Sequence, residues 1–143
     1  MKPEVRLAQR KDLPALVSLL SELGEASLEV LEVVWNQVAL CPCTRVYVVE
    51  QEGEVVATYT LHILPNLGHG GQPIAVMEGV SVARDRRGRG LGSLMVQHAL
   101  EEAKRAGAYK LALSSASHRK EAHAFYERLG FRVYGVALAV EIR

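Results

Sequence analysis

The feature that most limits what this chain can become is RRGRGLGS, residues 86–93, set between two segments of opposite periodicity. Before it, IAVMEGVSVA is apolar and rich in β-branched residues, as a buried strand is. Gly79 inside that run signals a bulge or a close backbone approach. After it, Leu91, Met95, Val96, Ala99, Leu100 and Ala103 share one face of a helix running to about Ala106. A strand, a glycine-rich turn and a helix start together make a place for an anion. First-turn N–H groups have no intrahelical acceptor, and the helix dipole adds positive potential. Gly88, Gly90 and Gly92 let the backbone come close and adopt positive φ, while Arg86, Arg87 and Arg89 add charge at the rim. The segment reads as a cradle for two linked phosphates.

The rest of the chain builds a frame around that unit. EVRLA is a short first strand, and Asp12 stands as N-cap of a helix through LPALVSLLSEL that Gly24 ends. A second helix follows in EASLEVLEVVWNQVAL. RVYVVEQEGEVVATYTLHIL is a hairpin turning at Glu52-Gly53, and PNLGHGGQP is a loop. Beyond the cradle come a strand in YKLALSS, a helix in RKEAHAFYERLG, and FRVYGVALAVEI as a closing strand pair or one bent strand. The order β α α β β β α β α β describes an α/β domain, a mixed sheet with helices on both faces. With 143 residues and no linker, residues 1–143 read as one domain.

Seventeen basic against sixteen acidic residues leave a net charge of +1, which argues against a nucleic-acid-binding domain. No stretch approaches a membrane span, and the N-terminus has no apolar signal core, so a cytoplasmic protein is expected. Cys41 and Cys43 in CPCT lie too close for an ordinary disulfide and lack further ligands for a metal. They are read as reduced thiols, and no metal is expected.

Which diphosphate the cradle takes is decided by spacing. A nucleoside-triphosphate loop needs lysine before its Ser or Thr, and none precedes Ser93. In a dinucleotide fingerprint the third glycine would fall one place later, and a carboxylate would end the next strand; Leu113-Ser114-Ser115 has none. RGRGLG instead follows R-x-x-G-x-G at Arg87, Gly90 and Gly92, which resembles the coenzyme A pyrophosphate loop of the GNAT superfamily of N-acetyltransferases. Met77 to Phe131 resembles that family's core in order and spacing, and AHAFYERLGF is similar to its signature A-x-x-F-Y-x-x-x-G-F. The first 75 residues match only in element order.

The resemblance implies the GNAT fold, with a mostly antiparallel splayed sheet, and acetyl-CoA as co-substrate. It implies that the backbone of Val80, Ser81 and Val82 pairs with the pantetheine arm. Backbone N–H groups of Arg87, Gly88, Arg89, Gly90, Leu91, Gly92 and Ser93 would hold the pyrophosphate. The Val80 N–H would be an oxyanion donor and Tyr126 the acid that protonates the departing thiolate. Many members carry Asn where this chain has Arg119, at a contact to the coenzyme. Homodimers are common in the family, and the apolar last strand would suit such an interface.

Acetylating an amine needs a neutral nitrogen, a polarised carbonyl and a protonated leaving group. A primary ammonium resembles lysine, with pKa ≈ 10.4, so roughly one molecule in a thousand is neutral at pH 7. Glu78, on the strand beside the expected thioester, is the candidate base; the competing reading is a solvent-facing strand glutamate. Tyr126 competes with a packing role, although Phe125 can supply that contact. His69, in the glycine-rich loop, and Trp35, on the second helix, are candidate walls of the acceptor pocket; Trp35 also suits the core. His98, His118 and His123 are expected on exposed helix faces or turns. The expected function is direct acetyl transfer from acetyl-CoA to a primary amine of a small, anionic acceptor. The alternatives are a degenerate acyl-CoA-binding module and a protein N-acetyltransferase.

Overall fold

The tight turn at Glu52-Gly53 sets the sheet. In the computed structural model, which describes residues 2–115 and 120–142, these two residues have φ of 54° and 77°. Left-handed backbone at both central positions gives a two-residue hairpin turn whose twist matches that of the flanking strands. It joins β2 (Thr44–Gln51) to β3 (Glu54–Leu64), with Gln51 opposite Glu54. β1 (Glu4–Leu7) pairs antiparallel with β2, and β4 (Ile74–Val82) antiparallel with β3. β5 (Leu111–Leu113) lies beside β4, completing the order β1-β2-β3-β4-β5. Bonds from Tyr109 N–H to Pro73 O and from Ala75 N–H to Lys110 O join segments whose numbering rises together, so this last pairing is parallel. The sheet is therefore mixed and mostly antiparallel.

Alternation along the strands divides the core between two helical layers. Val46 and Val48 of β2 point to the face where Leu13 and Leu16 of α1 (Leu13–Leu20) are buried. Leu31 and Trp35 of α2 (Leu28–Ala39) pack on the same cluster, which makes Trp35 a core contact. α3 (Leu91–Arg105) packs on β3 and β4 from the other side. Met95, Val96 and Ala99 are buried on α3, as are Tyr59, Leu61 and Met77 on the strands. These positions agree with the apolar face read from the helical period.

Asp12 precedes α1 without capping it through its side chain. Its carboxylate turns back to accept from Gln9 N–H at 2.7 Å and from both Arg6 guanidinium nitrogens at 2.7 and 3.0 Å. Arg6 also reaches Glu50 at 3.0 Å, so two ion pairs on one half-buried guanidinium tie β1, β2 and the start of α1 together.

Packing divides the chain into two units, Met1–Ala112 and Leu113–Arg143. The second contains α4 (Lys120–Arg128), where the rings of Phe125, Tyr126 and Phe131 meet edge to face. Residues 131–142 form no strand, contrary to the expectation from their β-branched alternation. Propensity alone does not make a strand, which also needs a ladder of backbone hydrogen bonds with a neighbouring segment. His118 and Arg119 lie outside the described residues. Among the described helices none is long and apolar enough to cross a membrane.

Candidate active site

Two strand positions in succession break the β3–β4 ladder. Thr58 pairs with Ser81 and Thr60 with Glu78, so Tyr59 alone faces both Gly79 and Val80. This is a bulge, and the extra residue leaves the ladder. Gly79 sits there at φ 63°, while a Cβ at this position would meet only Thr60 Oγ1, at an ordinary 3.7 Å. Backbone conformation, and not crowding, calls for glycine.

Beyond the bulge no described strand pairs with the outer side of β4. Ala83 N–H donates to Val56 O, so Ser81 also turns its peptide groups towards β3 and Val82, by alternation, turns away. β5 meets β4 at Ala75 and ends three residues later, short of Val80–Val82. The Ser81 hydroxyl is committed, donating to Leu19 O at 2.8 Å in the core. Val82 O accepts from Arg87 Nε at 3.2 Å.

The strand leads directly into the glycine turn. Gly88 and Gly90 have φ of 77° and 82°, and Gly90 is the N-cap of α3. The first intrahelical bond runs from Leu94 N–H to Gly90 O, leaving the N–H groups of Leu91, Gly92 and Ser93 without an intrahelical acceptor. A Cβ built on Gly88 or Gly90 would meet nothing within 4 Å among the described residues, so it is the positive φ that calls for glycine at these two positions. Amides without an intrahelical acceptor suit a diphosphate. The charge at the rim differs from expectation. Arg86 is held by Gln51 and Glu54 at 3.2 Å each and by Asp85 at 3.8 Å, and Arg84 by Glu22 at 2.9 Å. Arg86 therefore braces the β2–β3 hairpin, and the exposed Arg87 and Arg89 remain beside the turn.

Glu78 does not simply face solvent. Its Oε1 is hydrogen-bonded to His62 Nε2, and His62 Nδ1 is 3.1 Å from Thr44 Oγ1. Cys41 Sγ in turn lies 3.5 Å from that hydroxyl. Hydrogen bonding with Thr44 and with the Cys43 backbone lowers the Cys41 pKa. Thr44 lies two residues before Val46, so the chain Cys41–Thr44–His62–Glu78 runs along the α1–α2 face of the sheet. His62 has no motif around it. Only the strand register, which puts it opposite Thr44, marks it.

The other candidates have these places. His69, at φ 51°, stacks its ring on Tyr109 with centroids 4.0 Å apart. Its loop helps line a groove with Ile63, Pro65, Asn66 and Leu67. Tyr126 belongs to the aromatic group of the second unit. His98 is not on an exposed face: its Nδ1 lies 2.6 Å from the buried Tyr59 hydroxyl, and Tyr47 packs against its ring. Burial lowers the His98 pKa and raises that of Tyr59, so the phenol donates to a neutral imidazole. Among the described residues no three His, Cys, Asp or Glu side chains are grouped to hold a metal ion.

Comparison with known proteins agrees with this geometry. The family model described as the acetyltransferase (GNAT) family matches residues 15–131. The chain is 30% identical over 135 residues to a glucosamine 6-phosphate N-acetyltransferase of Trypanosoma brucei brucei, covering 92% of this chain and 90% of that one. It is 30% identical over 131 residues to an aminoalkylphosphonate N-acetyltransferase of Salmonella typhimurium, covering 90% and 84%. A structure from Agrobacterium tumefaciens, provisionally assigned as an acetyltransferase, superposes with TM-score 0.91 at 34% identity over 97% of this chain and 99% of that one.

Proposed function

Since the chain belongs to the GNAT family of acetyltransferases, we propose that it moves an acetyl group from acetyl-CoA directly to the primary amine of a small, anionic acceptor. That it is an N-acetyltransferase follows from the family and its named relatives. The acceptor class and the residue roles are our reading. One observation carries it: a bulged strand leads into a glycine-lined helix start whose first N–H groups have no intrahelical acceptor.

When bound, acetyl-CoA supplies a thioester-activated acetyl group. The N–H groups of Leu91, Gly92 and Ser93, which have no intrahelical acceptor, hold the pyrophosphate with the loop from Arg87 against the dipole of α3. Val80 and Val82 offer backbone groups to the pantetheine arm as a neighbouring strand would. The Val80 N–H, beside the bulge, donates to the carbonyl oxygen as negative charge develops there. Glu78 takes the proton of the acceptor's ammonium, and Tyr126 gives one to the leaving sulfur. His69 and its loop border the acceptor, while Trp35 is a core contact against Leu13, Leu16 and Val48. The family similarity running across residues 15–131 supports reading residues 1–143 as one acetyltransferase domain. The same reading has the enzyme act as a cytoplasmic homodimer.

The relatives named for glucosamine 6-phosphate and aminoalkylphosphonates both point to an amine carried with an anionic phosphorus group. Thiol release from acetyl-CoA, followed with aminoethylphosphonate, glucosamine 6-phosphate, glucosamine and amine-terminated peptides, tests the acceptor. Faster release with the two phosphorus-bearing amines is expected. Peptides as the best acceptors would overturn this assignment in favour of a protein N-acetyltransferase. Absence of any calorimetric heat with acetyl-CoA would remove the cradle itself.

A further inference from the structure

We propose that His62, its ring fixed by Thr44, is a positioning residue that aims Glu78 at the acceptor amine; this rests on Glu78 being the base. The Glu78 side chain is 61% exposed, and a carboxylate on such a chain samples several rotamers in water. A general base has to stand about 2.6–3.2 Å from the proton it takes. Only a bond to something rigid can hold it there. His62 is that partner, on the central strand β3 and itself only 22% exposed.

The hydrogen-bond chain selects one tautomer. A carboxylate acting as base can only accept, so His62 donates from Nε2, and its Nδ1 takes the proton of the Thr44 hydroxyl. The opposite tautomer would set a bare nitrogen lone pair against a carboxylate. Both bonds of His62 thus point towards Glu78, and Glu78 Oε2 is left for the acceptor. In the step itself an N–H bond of the ammonium breaks and an O–H bond forms at Oε2. Glu78 becomes a neutral carboxyl, the nitrogen keeps the electron pair, and the Nε2 proton stays on the ring.

The test uses the full chain with acetyl-CoA, and aminoethylphosphonate or glucosamine 6-phosphate as acceptor. His62→Ala is expected to lower kcat about 10- to 100-fold, the scale for a misplaced catalytic group. Acetyl-CoA affinity by calorimetry stays within twofold of the parent, and His62→Ala adds no further loss in a Glu78→Gln background. His62→Gln, whose amide can still donate to Oε1, recovers part of the rate, as Thr44→Ser does relative to Thr44→Val. Nitrogen NMR of the His62 ring reads the tautomer without any acceptor. A proton on Nε2, with the preference weakened in Thr44→Val, is expected; a proton on Nδ1 overturns the proposal. So does a full, independent His62→Ala penalty in the Glu78→Gln background, or no penalty at all where Glu78→Gln is slow. If Glu78→Gln turns over at the parental rate, the base assignment fails instead, whatever His62 does.

Discussion

Single residues carry the chemistry proposed for this enzyme, and each can be removed separately. A tyrosine acid contributes about 10²- to 10⁴-fold. Tyr126→Phe is therefore expected to cut kcat by that range with acetyl-CoA affinity unchanged, since Phe keeps the ring contacts with Phe125 and Phe131. An undiminished rate would take Tyr126 out of the mechanism. Gly90 must hold φ 82°, which a β-branched side chain resists, so Gly90→Val strains the turn that presents the first amides of α3. Isothermal titration should show acetyl-CoA binding at least tenfold weaker; parental affinity would give the loop another task. His98 makes a pH prediction. Its partners are Tyr59 and Tyr47 from the sheet and Glu102, Glu101 and Arg105 from its own helix, with Arg45 beside Glu102. Burial dominates and lowers the folded pKa below 6.5, so in that window the unfolded chain binds more protons. Stability is then fully present at neutral pH and declines as pH falls below about 6.5. In His98→Gln, which can still accept from Tyr59, the thermal midpoint should lose that part of its acid slope. Equal slopes in both proteins would show that His98 does not titrate differently on folding.

Elements show where reading by period succeeds and where it slips. The Glu52-Gly53 turn, the apolar face of α3 and the glycine start of that helix were legible because each is a local property of a few consecutive residues. The Glu78–His62–Thr44 chain was not. Counting back from the turn pairs Thr44 with Leu61, but the ladder shifts between Val49 and Glu50 and brings His62 opposite Thr44 instead. A one-residue slip moves every later side chain to the other face, and a bulge in β2–β3 leaves no mark in composition. The role of Asp12 was also displaced: it looked like a cap and serves as an ion-pair anchor. Arg6 holds the Asp12 carboxyl below its ordinary range. Arg6→Met would leave that carboxylate buried and unpaired; with Arg6 itself partly exposed, a loss of about 2–3 kcal/mol is expected. Urea unfolding measures it, and a change under about 0.5 kcal/mol, the size of an ordinary surface substitution, would mean that water replaces the guanidinium.

For the whole molecule, the sequence by itself determined the family, the order of elements from β1 to α4, and the strand–turn–helix unit proposed to cradle the coenzyme. These are set by glycines, caps and periodicities acting over a few residues, so they survive without knowledge of the rest of the chain. Only tertiary structure decided which charges serve the site. It drew Arg86 away to Glu54, turned His98 inward onto Tyr59, and placed His62 against Glu78. It also left residues 131–142 without the strand their alternation suggests. The physical reason is common to all four. An ion pair, a buried hydrogen bond or a ladder needs a partner distant in sequence, and partners of that kind are chosen by register and packing rather than by the residues on either side.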